Sequence, residues 1–124
     1  MSQDRSIVQR YADFAVSLRE TPPSAEVRAH AVRVVLDWFA AALPGAGMEP
    51  ATLAARALSD QVGAGAATLL GSGTPATGQA AALINGTASH IVEFDDIYRD
   101  GLYHPGTPTI SAALAAAEMA GADG

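Results

Sequence analysis

Four carboxylates, Glu93, Asp95, Asp96 and Asp100, fall within eight residues of one another, flanked by His90 and His104 and relieved by a single arginine, Arg99. Crowded carboxylates raise one another's pKa, so one can stay protonated near neutrality and serve as an acid. A histidine, with an ordinary pKa of about 6.5, takes or gives a proton at working pH. The plainer reading is that Asp95 and Asp96 cap or solvate a loop and that His90 is a satisfied core histidine, which is the usual fate of any one such residue. Their concentration beside a helix start weighs toward an acid–base site.

His104-Pro105-Gly106-Thr107-Pro108 runs directly into a predicted helix, whose first-turn N–H groups would favour a bound carboxylate or phosphate. A substrate anion fits between that helix end and His104, although a proline-led helix start needs no ligand. Two imidazoles among carboxylates also suit zinc, manganese or iron. The spacing of His90, Asp95 and His104 matches no short ligand motif, and no metal is assigned. Gly71-x-Gly73-x-x-x-x-Gly78 lacks the lysine of a P-loop and a surrounding βαβ pattern, so it reads as a turn. Ser72, Ser89 and Ser111 have no nucleophile-elbow setting.

These residues need elements to hold them. Apolar residues from Ile7 to Leu18 at helical spacing predict a first amphipathic helix from about Asp4 to Arg19. A second starts after Thr21-Pro22-Pro23-Ser24 and stops at Pro44-Gly45. Its second half is apolar nearly all round, through Leu36, Trp38, Phe39 and Ala40 to Leu43, which predicts burial on every side. A third follows Pro50, with Leu53, Ala54, Ala57, Leu58 and Val62 on one stripe, and ends at Gly63 and Gly65. Ala66 to Leu70 reads as a short strand with no partner in view, followed by a turn over Gly71 to Pro75. A fourth helix opens at Pro75 or Thr77 and buries Ala80, Leu83, Ile84, Ala88 and Ile91; Gly86, His90 and Glu93, at i, i+4 and i+7, share a second face of it. After the loop from Asp95 to Gly106, a fifth helix turns Ile110, Ala113, Leu114 and Ala117 inward. Gly121 to Gly124 reads as a turn toward a further element. The expected fold class is all-α, an incomplete bundle of about five helices.

The totals bound what such a bundle does. With 124 residues and 49% hydrophobic content the chain is one domain's worth and globular. Alanine dominates and aromatics are only 6%, so the core is thin for its length and favours packing against a partner subunit or further chain. All seven basic residues are arginine and the net charge is −6, so no lysine chemistry and no basic stripe for nucleic acid are available. Absent cysteine removes disulfides and thiolate chemistry and fits a reducing, cytoplasmic location. No signal peptide or membrane-spanning run is legible.

Asn85-Gly86-x-x-x-His90-x-x-Glu93-Phe94-Asp95-Asp96, then His104-Pro105-Gly106, then Pro108 and Ala113-x-Ala115-x-Ala117-Glu118, resembles the N-terminal signature of the MmgE/PrpD family. Val34-Val35-Leu36-Asp37 and Ala67-Thr68-Leu69-Leu70-Gly71 extend the likeness upstream, so that it covers nearly the whole chain. Members include 2-methylcitrate dehydratase, cis-aconitate decarboxylase and an epimerase acting on iminodisuccinate. The resemblance implies a cofactor-free, usually dimeric lyase or isomerase that moves protons next to the carboxylates of a small polycarboxylic acid. Residues 1–124 would form the N-terminal part of its large helical domain. It also implies that Glu93, the Asp pair and His104 line the active site, with His104 and either Glu93 or Asp96 in proton transfer and with His90, Asp95 and Ile97 shaping the substrate site. Glu93 stands where the dehydratase and decarboxylase have aspartate, and Ile97 where the decarboxylase has a hydroxyl residue. The cations a polycarboxylate needs would come from histidine and lysine residues downstream of Gly124, so residues 1–124 alone are expected to lack turnover. From another class, a helical assembly module with solvated acids is the rival reading.

Overall fold

The computed structural model describes residues 5–122. Among them five helices and one two-stranded sheet follow in order: α1 (Ile7–Glu20), α2 (Ala25–Gly45), α3 (Glu49–Ala57), β1 (Val62–Thr68), β2 (Pro75–Ala76), α4 (Gly78–His90) and α5 (Gly106–Ala120). The chain divides into two compact units, residues 1–32 and residues 33–124. The expected all-α class with five helices holds, with one small two-stranded sheet added to it. The start of the first predicted helix, Asp4, and the end of the terminal turn, Asp123 and Gly124, lie outside the described residues.

In the first unit α1 is held by a capping box: the Ser6 hydroxyl accepts from the Gln9 N–H, and the Gln9 side chain accepts from the Ser6 N–H. Its amphipathic pattern is real, but none of its residues is buried, and Ile7, Val8, Tyr11 and Phe14 stand exposed.

In the second unit the later part of α2 buries Trp38, Ala41, Ala42 and Gly45, whereas Leu36 and Leu43 are exposed. Burial on every side is therefore corrected to burial on one face. Val34, Val35 and Phe39 are half-buried, Phe39 edge to face on Trp38. Gly45 matters here because any Cβ would strike the Ala88 carbonyl of α4, so only glycine lets the two backbones meet this closely.

α3 ends at Ala57, five residues before the expected Val62. The cause lies downstream: Gly63 and Gly65 adopt φ of 87° and 99°, which no helix contains, and Val62 pairs with Ala76 instead. The strand expected at Ala66 to Leu70 thus begins earlier, and its partner is Pro75–Ala76, in the segment read as a turn. Gly71 and Gly73, with φ of 79° and 68°, close the hairpin, and the Leu69 N–H donates to the Thr74 carbonyl at 2.9 Å.

The core of this unit joins Ala67, Leu69, Ala76, Ala80, Ala81, Ile84 and Ala115. Small side chains bring α4 and α5 into contact with each other and with β1. Two polar side chains tie the strand in place. Asn85 Oδ1 accepts from the Leu70 N–H and its Nδ2 donates to the Thr68 carbonyl, both at 2.9 Å, while Glu118 Oε2 accepts from the Thr68 N–H at 2.8 Å. Of the expected inward residues, Ala80, Ile84 and Ala88 of α4 are buried and Ile110, Leu114 and Ala117 of α5 are half-buried. Leu83 is exposed, and on α5 the buried residues are Gly106, Ser111 and Ala115 rather than Ile110 or Ala113. Packing at close range selects the smallest stripe of an alanine-rich helix, where hydrophobicity alone would select the largest. No single helix among the described residues is long and apolar enough to cross a membrane.

Candidate active site

The acid-rich segment begins where α4 fails. Instead of continuing through Glu93, the helix ends at His90, and Glu93 takes a left-handed φ of 56° with its N–H donating to the His90 carbonyl. The expected face shared by Gly86, His90 and Glu93 is therefore corrected. Nor does Gly86 make room beside a carboxylate: a Cβ there would lie 3.0 Å from Ser111 Oγ, so the glycine admits α5.

The turn folds Asp95 back beneath His90. Asp95 Oδ2 lies 3.0 Å from His90 Nδ1, 3.1 Å from His104 Nδ1 and 3.0 Å from Thr107 Oγ1, which donates to it. Its side chain is only 1% exposed. The two imidazoles meet edge to face, with centroids 4.5 Å apart. His104 Nδ1 is close enough to Oδ2 for an ion pair but out of line for a hydrogen bond, and this buried nitrogen has no other partner. The hydrogen bond to Asp95 raises the His90 pKa above its ordinary 6.5, against an opposing effect of burial. Burial pushes the Asp95 carboxyl up, but hydrogen bonds from His90 and Thr107 outweigh it and hold the group below its ordinary 3.8.

Asp96 has a different post. Both of its oxygens accept the Gly106 N–H, at 3.0 and 3.1 Å, so a carboxylate of the chain itself already occupies the start of α5. A Cβ at Gly106 would meet Asp96 Oδ1 at 2.5 Å, which explains the glycine after His104-Pro105. The place sketched for a substrate anion at this helix end is thus filled by Asp96. Glu93 is free by contrast: its side chain is 76% exposed and Oε1 stands 3.9 Å from His90 Nε2. Ile97 is exposed. Arg99 and Asp100 lie in the turn of a small hairpin closed by Tyr98 and Tyr103.

His90 and Glu93 edge an open groove of about 850 Å³, which Pro50 of α3, Leu83 and Gly86 of α4, and Thr107 and Ser111 of α5 also line. Its walls are mostly apolar, with Gln79, Thr87, His90, Glu93, Thr107 and Ser111 as the polar residues among them. The ligand atoms of His90, Asp95 and His104 lie within 4.8 Å of one another, a spacing that suits a divalent cation as well as an acid–base cluster.

A family model described as the MmgE/PrpD N-terminal domain matches residues 9–124. The chain belongs to the MmgE/PrpD family. No curated protein and no solved structure matches it. In this MmgE/PrpD domain the signature residues divide by task. Asn85 and Glu118 fasten α4 and α5 to β1, Gly86 and Gly106 allow close approach, Asp96 caps α5, and His90, Asp95 and His104 converge.

Three participants were not legible beforehand. Thr107, read as a helix start, donates to Asp95; Ser89, set aside as a hydrolase nucleophile, is fully buried with Oγ 3.2 Å from Thr107 Oγ1; Ser111 donates to the Thr107 carbonyl. The signal for Thr107 was its place two residues after Pro105, in the first turn that His104 precedes.

Proposed function

We propose that this chain supplies the N-terminal part of the helical domain, and part of the active site, of a cofactor-independent lyase or isomerase acting on a small polycarboxylic acid. The observation that carries the reading is the meeting of His90, Asp95 and His104, from two separate segments, with His90 also lining an open groove. A buried carboxylate between two imidazoles is an arrangement for moving protons near neutral pH. His104 is the group assigned to proton transfer. Glu93 is its carboxylate partner in preference to Asp96, because Glu93 is unengaged at the groove while Asp96 is spent on the Gly106 N–H. His90, Asp95 and Ile97 shape the substrate site.

A polycarboxylate needs cations, and Arg99 with the histidines is a small supply against four neighbouring acids. The remaining positive charge is assigned to residues outside 1–124, so these residues alone are inactive. A cytoplasmic homodimer is the corresponding assembly. The second reading, an assembly module, draws on the exposed apolar side chains of α1 and α2.

The deciding experiment assays the longest expressible form against a panel of di- and tricarboxylic acids, following proton release or absorbance, with His104→Ala as control. Turnover that disappears in the variant supports the lyase or isomerase and names its substrate. A complete, folded protein that turns over no member of the panel favours the module, and turnover by 1–124 alone would contradict the assignment of the missing cations.

A further inference from the structure

We propose that Asp95 positions both imidazoles at once, holding His90 and His104 with the proton on Nδ1 and leaving their Nε2 atoms as the proton-exchanging ends. The inference rests on the acid–base reading above and gives that site its microscopic arrangement.

An ionised carboxylate only accepts hydrogen bonds. Three polar atoms approach the same oxygen, Asp95 Oδ2: His90 Nδ1 at 3.0 Å, His104 Nδ1 at 3.1 Å and Thr107 Oγ1 at 3.0 Å. A neutral imidazole whose Nδ1 carried a lone pair would place it against a carboxylate lone pair at about 3 Å, where screening by water is weak and the repulsion large. That repulsion is full for His90, whose Nδ1 is aligned with the carboxylate, and for His104, out of line, it leaves a preference for N–H over a lone pair at a buried nitrogen with no other partner. The hydrogen bond from His90 Nδ1 to Asp95 sets the proton on that ring, and the charge of the same buried carboxylate, 3.1 Å from His104 Nδ1, favours the N–H on that side of the second ring. The position of Asp95 is itself secured. Its side chain is almost fully buried, Thr107 donates to it from the first turn of α5, and that turn carries no acidic residue to compete. Of the neighbouring acids, Asp96 is taken up by the Gly106 N–H, and Glu93 stands 3.9 Å from His90 Nε2. It faces the ring's opposite nitrogen and so does not contest Nδ1. His90 lines the groove together with Glu93, whose carboxylate stands on the Nε2 side of the ring, the side on which a substrate proton would arrive.

The arrangement differs from a single oriented histidine in one consequence. Because both rings lean on the same oxygen, the state of one is felt by the other, and removal of the negative charge disturbs both together.

The test is long-range proton–nitrogen NMR of the full chain at a pH where the imidazoles are neutral, which reads the tautomer of each ring directly and needs no turnover. The chain has three histidines, and exposed His30 serves as internal reference for the Nε2–H form that free imidazole prefers. His90 and His104 are expected to show Nδ1–H. In Asp95→Asn the amide offers one accepting oxygen and one donating nitrogen, so at least one of the two rings is expected to revert to Nε2–H. Should that variant fail to fold, Thr107→Val keeps the carboxylate and is expected to leave both Nδ1–H signatures in place. Nε2–H at either ring in the unaltered chain would overturn the proposal, as would tautomers unchanged in a folded Asp95→Asn or lost in Thr107→Val. One equivalent of Zn²⁺ bound at micromolar concentration by His90, Asp95 and His104 together would overturn it in favour of a metal centre. Because the readout is independent of activity, a blank substrate panel leaves it intact, and a wrong tautomer leaves the panel result intact.

Discussion

Glu93 carries a cost that is plain at the level of a single residue, one that Leu102, at φ 50°, shares. A side chain at a left-handed φ of 56° loses roughly 1–2 kcal/mol relative to glycine, and such backbone strain persists where surrounding structure or function demands it. Glu93→Gly is therefore expected to raise stability by about 1 kcal/mol in urea unfolding while removing the groove carboxylate; a loss of stability would show that the carboxylate holds the turn. The His90–Asp95 pair sets a pH window. His90 has a raised pKa in the folded chain, so its contribution is complete below its ordinary 6.5 and disappears as pH rises through the folded value. Asp95 has a lowered pKa, so its contribution is complete above its ordinary 3.8 and disappears as pH falls through the folded value. Thermal stability is expected to peak in mildly acidic buffer between those limits, and Asp95→Asn should flatten the profile. An unchanged profile would mean that the pair does not form in solution.

At the scale of elements, the α4–α5 contact and the start of α5 decide whether the two histidines meet. Asp96 neutralises the exposed N–H end of α5, and helix caps of this kind are worth about 0.5–2 kcal/mol. Asp96→Ala should cost about 1 kcal/mol and loosen His104 with it, a change that hydrogen exchange at Gly106 and Thr107 would report. Gly86 is the more sensitive position. A methyl there meets Ser111 Oγ at 3.0 Å, and the Ser111 side chain is itself held by the Thr107 carbonyl. Overpacking of this size costs about 1–3 kcal/mol, so Gly86→Ala is expected to lower the urea midpoint and Gly86→Val to lower it further. Equal midpoints for all three would mean that α4 and α5 are not as close as they stand here. Much of this was legible in outline. Helix positions follow from apolar spacing and proline punctuation, and the acid-rich segment with its two histidines stands out by residue type. The end of α4 at His90 was not legible, because nothing in Ile91-Val92-Glu93 forbids another helical turn; the pull of Asp95 toward two imidazoles and Thr107 supplies the reason to break.

At the scale of the whole molecule, the described residues leave large apolar side chains uncovered in each unit by itself. Phe14 is 60% exposed in the first and Leu36 62% in the second. Surface substitutions usually change stability by less than about 0.5 kcal/mol, against roughly 2–5 kcal/mol for emptying a packed leucine site. In dilute 1–124, Leu36→Ala should fall in the smaller class. Sedimentation at rising concentration should show association that Phe14→Ser and Leu36→Ser weaken. A large destabilisation of the dilute monomer by Leu36→Ala would show that this side chain is already core.

Residue type and short-range spacing were enough to read the family, the mostly helical class and the concentration of acids and histidines between His90 and His104. The division of labour among the acids was decided only by the tertiary structure. Asp95 and Asp96 are neighbours with the same side chain, yet one is buried between two histidines and the other caps a helix, because alternate residues of a turn face different elements. Which stripe of α5 goes inward was likewise settled by backbone approach at Gly86, since alanine on every side of a helix offers no hydrophobic contrast to read. The partner of β1 was decided by left-handed glycines that punctuate the chain without saying what they bring together.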